Sequence, residues 1–166
     1  MHSLAIQEAA MHIETKCLID AAEAPLWRAI SGIEAMNRWN PFVRLVSLDA
    51  HGEAISYNFT QNPARPARAM FFGMMEVDEK AREVRLRFGV RGLKLIEVYA
   101  IERQLGRLWL VHKLTGTGLI DFALGWILAR RLRLIVHAQN SLLQRSLISS
   151  PVRKAARSNE GGKHPR

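Results

Sequence analysis

The run Leu108-Trp109-Leu110-Val111-His112-Lys113-Leu114-Thr115-Gly116-Thr117-Gly118-Leu119 is where the chain changes its period. Before Gly116, the residues Leu108, Leu110, His112 and Leu114 recur at every second position, which places them on one face of a strand. After Gly118 the spacing becomes helical, and residues 119–148 read as one long helix with Leu124, Ile127, Leu128, Leu134, Ile135, Ala138 and Leu142 available for burial. A helix of that size reaches about 45 Å. The fold is therefore decided by what precedes the switch.

What precedes it is a run of strands. Residues 43–48, 54–60, 68–77, 83–90, 93–103 and 107–115 have strand character, and turn-forming clusters separate them: Asp49 to Gly52, Asn62 to Pro66, Asp78 to Lys80, Arg91-Gly92 and Leu105-Gly106. Sequential strands joined by short turns make an antiparallel meander. Val84, Leu86, Phe88 and Val90 alternate with Arg85, Arg87 and Arg91, which separates an inner from an outer face. Further upstream, residues 12–19 alternate as another strand, with Ile13, Thr15, Cys17 and Ile19 on one face. Pro25 suits the first turn of a short helix that stops at Gly32. A second short helix, residues 34–38, ends before Asn40-Pro41, because the residue preceding a proline disfavours helical backbone. The fold class is α+β.

The order strand, two short helices, six strands, long helix resembles the START-like or SRPBCC superfamily, which includes polyketide cyclases/dehydrases and lipid-transfer domains. Local residues carry the likeness. Ile19-Asp20-Ala21-Ala22-Glu23-Ala24-Pro25-Leu26-Trp27-Arg28-Ala29-Ile30 is similar to the family's opening strand and tryptophan-bearing helix, Trp39-Asn40-Pro41-Phe42 to its Trp-Asn-Pro-Phe turn, and Leu114-Thr115-Gly116 to its entry into the last helix. The resemblance spans residues 12–148. It implies a helix-grip fold, with a curved seven-stranded antiparallel sheet wrapped around a long C-terminal helix and a hydrophobic ligand held between them. It also departs from the family at one point, since His112 stands where many relatives carry an acidic residue.

With 166 residues, 48% of them hydrophobic and 23% charged, the chain suits one globular unit. We expect an N-terminal extension over 1–11, a START-like domain over 12–150 and a basic, disordered tail over 151–166. The formal net charge of +9 is uneven, because residues 118–166 alone contribute +7. This basic third suggests peripheral contact with an anionic membrane. Aromatic residues are not interleaved with the tail's charges, so nucleic acid is not expected as a partner. Cys17 is the only cysteine, which excludes an intramolecular disulfide, and the first residues lack the pattern of an export signal; the expected location is cytoplasmic.

No His-Glu-x-x-His, Gly-x-Ser-x-Gly or Walker motif and no cysteine pair is present, the histidines have no metal-ligand spacing, and neither a metal nor a cofactor is expected. His112 is expected to project into an apolar interior, as are Glu97 and Tyr99 from the preceding strand, where they share a face with Leu95 and Ile101. A carboxylate pointing inward needs a partner. If the three converge, Glu97 and His112 can move a proton and Tyr99 can donate a hydrogen bond, as a cyclase or dehydratase would require. The expected ligand lining is Trp39, Phe71, Met75, Phe88, Glu97, Tyr99, Leu110, His112, Leu124 and Ile127. Trp27, Trp109, Trp126, Met70, Phe72 and Met74 are further apolar candidates. The leading expectation is a binding protein for a small hydrophobic molecule of lipid, polyketide or aromatic type.

Overall fold

A computed structural model describes residues 11–65 and 68–149, with the side chains of 119–126 outside the description. Almost all of the expected N-terminal extension and the whole expected basic tail lie outside the described residues. The elements are β1 (Met11–Ile19), α1 (Glu23–Ser31), α2 (Ile33–Trp39), β2 (Val43–Ser47), β3 (Ala54–Phe59), β4 (Ala69–Asp78), β5 (Glu83–Val90), β6 (Leu93–Gln104), β7 (Arg107–Thr117) and α3 (Leu119–Ser149).

The seven strands form one sheet in the order β1-β7-β6-β5-β4-β3-β2, antiparallel at every pair. The meander therefore runs from β2 to β7, and β1 closes on β7 from the far end of the sequence. Turn chemistry sets the register. At Leu105-Gly106 both residues have positive φ, 52° and 75°, the geometry of a two-residue hairpin whose twist matches that of its strands. β7 continues past Thr115, because Gly116 and Thr117 still pair with Leu95 and Lys94. The break falls at Gly118, where φ is 125° and an added Cβ would meet the carbonyl of Gly92.

Alternation carries one face of every strand inward. Ile13, Leu45, Ile55, Tyr57, Met75, Val84, Leu86, Phe88, Leu95, Ile101, Leu110 and Leu114 form a single core with Leu26, Trp27 and Ile30 of α1 and Met36 and Trp39 of α2. The Trp-Asn-Pro-Phe turn is held by its own polar groups: Trp39 Nε1 donates to the Ala29 carbonyl at 2.8 Å, and Asn40 Oδ1 accepts from the amides of Phe42 and Val43. The same alternation corrects part of the apolar lining expected from sequence. Met70, Phe72 and Met74 occupy the opposite face of β4 from Phe71 and Met75, and all three are exposed on the outer side of the sheet. Trp109, opposite Leu18 and Glu102, also lies outside, while Trp126 is outside the described side chains.

α3 rests mainly on β1 and β7, with smaller contacts to β6, α1 and α2. Its buried stripe is Leu132, Ile135, Val136, Gln139, Asn140, Leu143 and Leu147. This phase differs from the one read from apolar residues alone. Leu134 is 69% exposed and Ile127 45% exposed, because the stripe includes two amides, Gln139 and Asn140, that a hydrophobic pattern passes over.

Candidate functional site

The β6–β7 register places Tyr99 directly opposite His112 and Glu97 opposite Leu114. Since all point inward, Glu97, Tyr99 and His112 meet beneath the sheet's concave face, as alternation in the two strands requires. Glu97 Oε1 accepts from the Tyr99 hydroxyl at 2.6 Å and lies 2.9 Å from His112 Nε2. Its other oxygen accepts from the hydroxyl of Tyr57, on β3, at 2.7 Å. On the far side of the ring, His112 Nδ1 lies 2.9 Å from Asn140 Oδ1.

Hydrogen-bond accounting orients the Asn140 amide. The Asn140 amide nitrogen donates to Thr15 Oγ1 at 2.7 Å, which turns its oxygen toward His112 as an acceptor. The imidazole thus has an oxygen within hydrogen-bond distance of each of its nitrogens. Glu97 Oε1 and His112 Nε2 face each other with 2% and 0% of their side chains exposed. Burial pushes the Glu97 carboxyl upward, but the hydrogen bond and charge of His112, with the hydroxyls of Tyr99 and Tyr57, outweigh it and hold the group below the ordinary carboxylate range. Tyr57 and Tyr99 are pushed well above the usual phenol value by burial and by the Glu97 charge, so both remain donors.

Aromatic rings extend this polar floor into an apolar wall. Tyr99 stacks on His112 with centroids 4.1 Å apart and meets Trp39 edge-on. Tyr57 stacks on Phe88 at 3.7 Å, and Phe71 packs at an angle against both. Gly73, paired with Phe88 across β4 and β5, leaves no room for a side chain, since a Cβ there would strike the Arg87 carbonyl and Phe88.

Of the residues expected to line a ligand site, Trp39, Phe71, Met75, Phe88, Glu97, Tyr99, Leu110 and His112 all belong to the core or pack against it. Ile127 is substantially exposed, and the Leu124 side chain lies outside the described residues. Three members of the polar cluster were not foreseen as site residues: Tyr57, Asn140 and Thr15. Tyr57 alternates with Ile55 and Phe59 and was readable as inward, whereas Asn140 becomes visible only once the phase of α3 is known. Among the described residues no group of three metal-ligating side chains converges, and no helix is long and apolar enough to cross a membrane.

Two clefts formed by described residues lie elsewhere. One of about 850 Å³ is bounded by Asp20, Pro25, Arg28, Arg103, Arg107 and Leu147, and one of about 880 Å³ lies beside α2 and β4. Neither includes Glu97, Tyr99 or His112.

No family model and no curated protein matches the sequence. Solved structures do match. TTHA0849 from Thermus thermophilus superposes with a TM-score of 0.67 at 13% identity, covering 84% of this chain and 99% of that one. A START superfamily protein from Mycobacterium smegmatis gives 0.55 at 11% identity, covering 77% and 95%. The di-domain ARO/CYC BexL from the BE-7585A biosynthetic pathway gives 0.63 at 15% identity, covering 85% of this chain and 47% of that protein. At such identities the likeness is one of fold, and it coincides with the sheet order, the two short helices after β1 and the long closing helix described above. The chain has the START-like helix-grip fold.

Proposed function

We propose that the protein binds a small hydrophobic molecule between α3 and the β3–β5 part of the sheet, with a hydroxyl-type donor of the ligand directed at the Glu97 cluster. The observation that carries the reading is the pairing of an aromatic wall, Tyr57, Phe71 and Phe88, with a fully buried carboxylate at its floor. Among the described residues α3 packs chiefly on β1 and β7, at the other end of the sheet order from this wall. Apolar burial supplies affinity at about 25 cal/mol per Å² removed from water, and a few polar groups supply selectivity.

The polarity of those groups follows from their partners. Glu97 already receives three donors, from Tyr57, Tyr99 and His112. What it and the two phenol oxygens have left is acceptor capacity, so a ligand hydroxyl or amine is favoured there over a carboxylate. Titration with fluorescent 2-naphthol tests this. Saturable uptake is expected, lost in Phe71→Trp, which fills the wall, and tighter by about tenfold than for 2-methoxynaphthalene, which cannot donate. Absence of uptake of either compound refutes the proposal.

A second reading, proton transfer in a cyclase- or dehydratase-like reaction, is favoured by the convergence of Glu97, Tyr99 and His112. It predicts a pH-dependent turnover lost in His112→Ala. Binding is preferred because both nitrogens of His112 are committed to Glu97 and Asn140, which leaves the ring no atom to offer a substrate directly.

A further inference from the structure

Beneath α3 one polar side chain stands apart from the cluster. Gln139 is 2% exposed, yet its amide has no hydrogen-bond partner among the described residues. At 100° per residue it lies in the middle of the buried stripe, between Ile135 and Leu143, whereas Asn140 is at the edge that faces β1. The residue therefore sits on the inward face of the helix.

A second amide gives the contrast. Asn40 Nδ2 is also without a partner, and it is completely enclosed. Gln139 differs, because neither of its amide atoms is sealed in this way. A partnerless buried amide is costly in an apolar interior, and an apolar side chain of the same shape would be tolerated better on stability grounds alone. Its presence near the centre of the stripe fits a group that is satisfied when a ligand lies against it.

We infer that Gln139 is the ligand-recognition residue on the helix side and that its amide N–H groups hold an acceptor oxygen, a carbonyl or ether, of the bound molecule. The inference rests on the binding function proposed above and makes it more specific. The Glu97 cluster offers acceptors and the Gln139 amide supplies a donor, so the ligand class is a hydrophobic molecule with a hydroxyl toward the sheet and a carbonyl or ether oxygen toward the helix.

The test uses the full chain, 2-acetylnaphthalene and its near-isosteric hydrocarbon 2-isopropylnaphthalene, with wild type and Gln139→Met compared by equilibrium titration and thermal unfolding. Wild type is expected to prefer the ketone by about tenfold. In the variant that preference disappears, hydrocarbon affinity is retained and the ligand-free protein melts at a higher temperature than wild type. A preference that survives in Gln139→Met, or is absent in wild type, overturns the inference alone. A lower melting temperature in the ligand-free variant overturns it too, since the amide would then have a structural partner. Failure of both proteins to take up either compound overturns the binding function, and the inference falls with it.

Discussion

Replacing His112 by phenylalanine keeps a flat ring against Tyr99 while deleting the Nε2 partner that faces Glu97. The carboxylate would keep the two tyrosine hydroxyls but lose its third partner, in a position with 2% of its side chain exposed. Removing one partner of a buried pair costs about 3–5 kcal/mol, a large share of the roughly 5–15 kcal/mol by which a domain is stable. Asn140 Oδ1 also loses its donor, which adds about 1 kcal/mol. The pH dependence gives the sharper signature. In wild type the Glu97 carboxyl is held below its unfolded value, so its contribution is full above about pH 4.3 and is lost as pH falls through the lower folded value. Without His112, burial dominates and raises the folded value. The penalty is then greatest at neutral pH and is relieved as pH falls toward the unfolded value. Urea unfolding followed by tryptophan fluorescence should show His112→Phe gaining stability between pH 7.5 and 5 relative to wild type, and Glu97→Gln in the same background should recover most of the loss at pH 7.5. A deficit below about 1 kcal/mol, or one independent of pH, would show that Glu97 is not a charged, paired group and would refute the account of the cluster.

Other substitutions test neighbouring parts of the structure. Tyr57→Phe leaves Glu97 Oε2 without its donor and should cost about 1–3 kcal/mol by urea titration, with the acid-unfolding midpoint moving to higher pH. Gly73→Ala forces a methyl against the Arg87 carbonyl and Phe88 and should cost about 1–3 kcal/mol, whereas Ala at the open Gly106 loop meets no neighbour and strains only its positive φ. Burial pushes the Cys17 thiol up to about 11, so alkylation by iodoacetamide at pH 8 should be much slower in the folded protein than in urea.

The sheet was legible because each strand keeps its period over at least two turns of alternation, as in Val84, Leu86 and Phe88 against Arg85 and Arg87, and because Arg91-Gly92 and Leu105-Gly106 fix the hairpins beside it. The convergence of Glu97, Tyr99 and His112 followed from those two registers. The helix was harder. Its length was clear, but its face was not, since Leu134 is apolar and exposed while Gln139 and Asn140 are polar and buried. Sequence alone could not supply Asn140 as the partner of His112, because that contact joins residues 28 apart on elements whose relative rotation depends on packing. Met70, Phe72 and Met74 show the converse case, apolar side chains whose strand face, not their hydrophobicity, determines where they lie.

The most direct measurement is a set of intermolecular nuclear Overhauser contacts between bound 2-naphthol and the protein. Contacts from the naphthalene protons to the rings of Tyr57, Phe71 and Phe88, with the hydroxyl end nearest Tyr57, are the predicted result. Contacts confined to the outer sheet face or to the cleft around Arg28 and Leu147, with none to those three rings, would contradict an occupied interior.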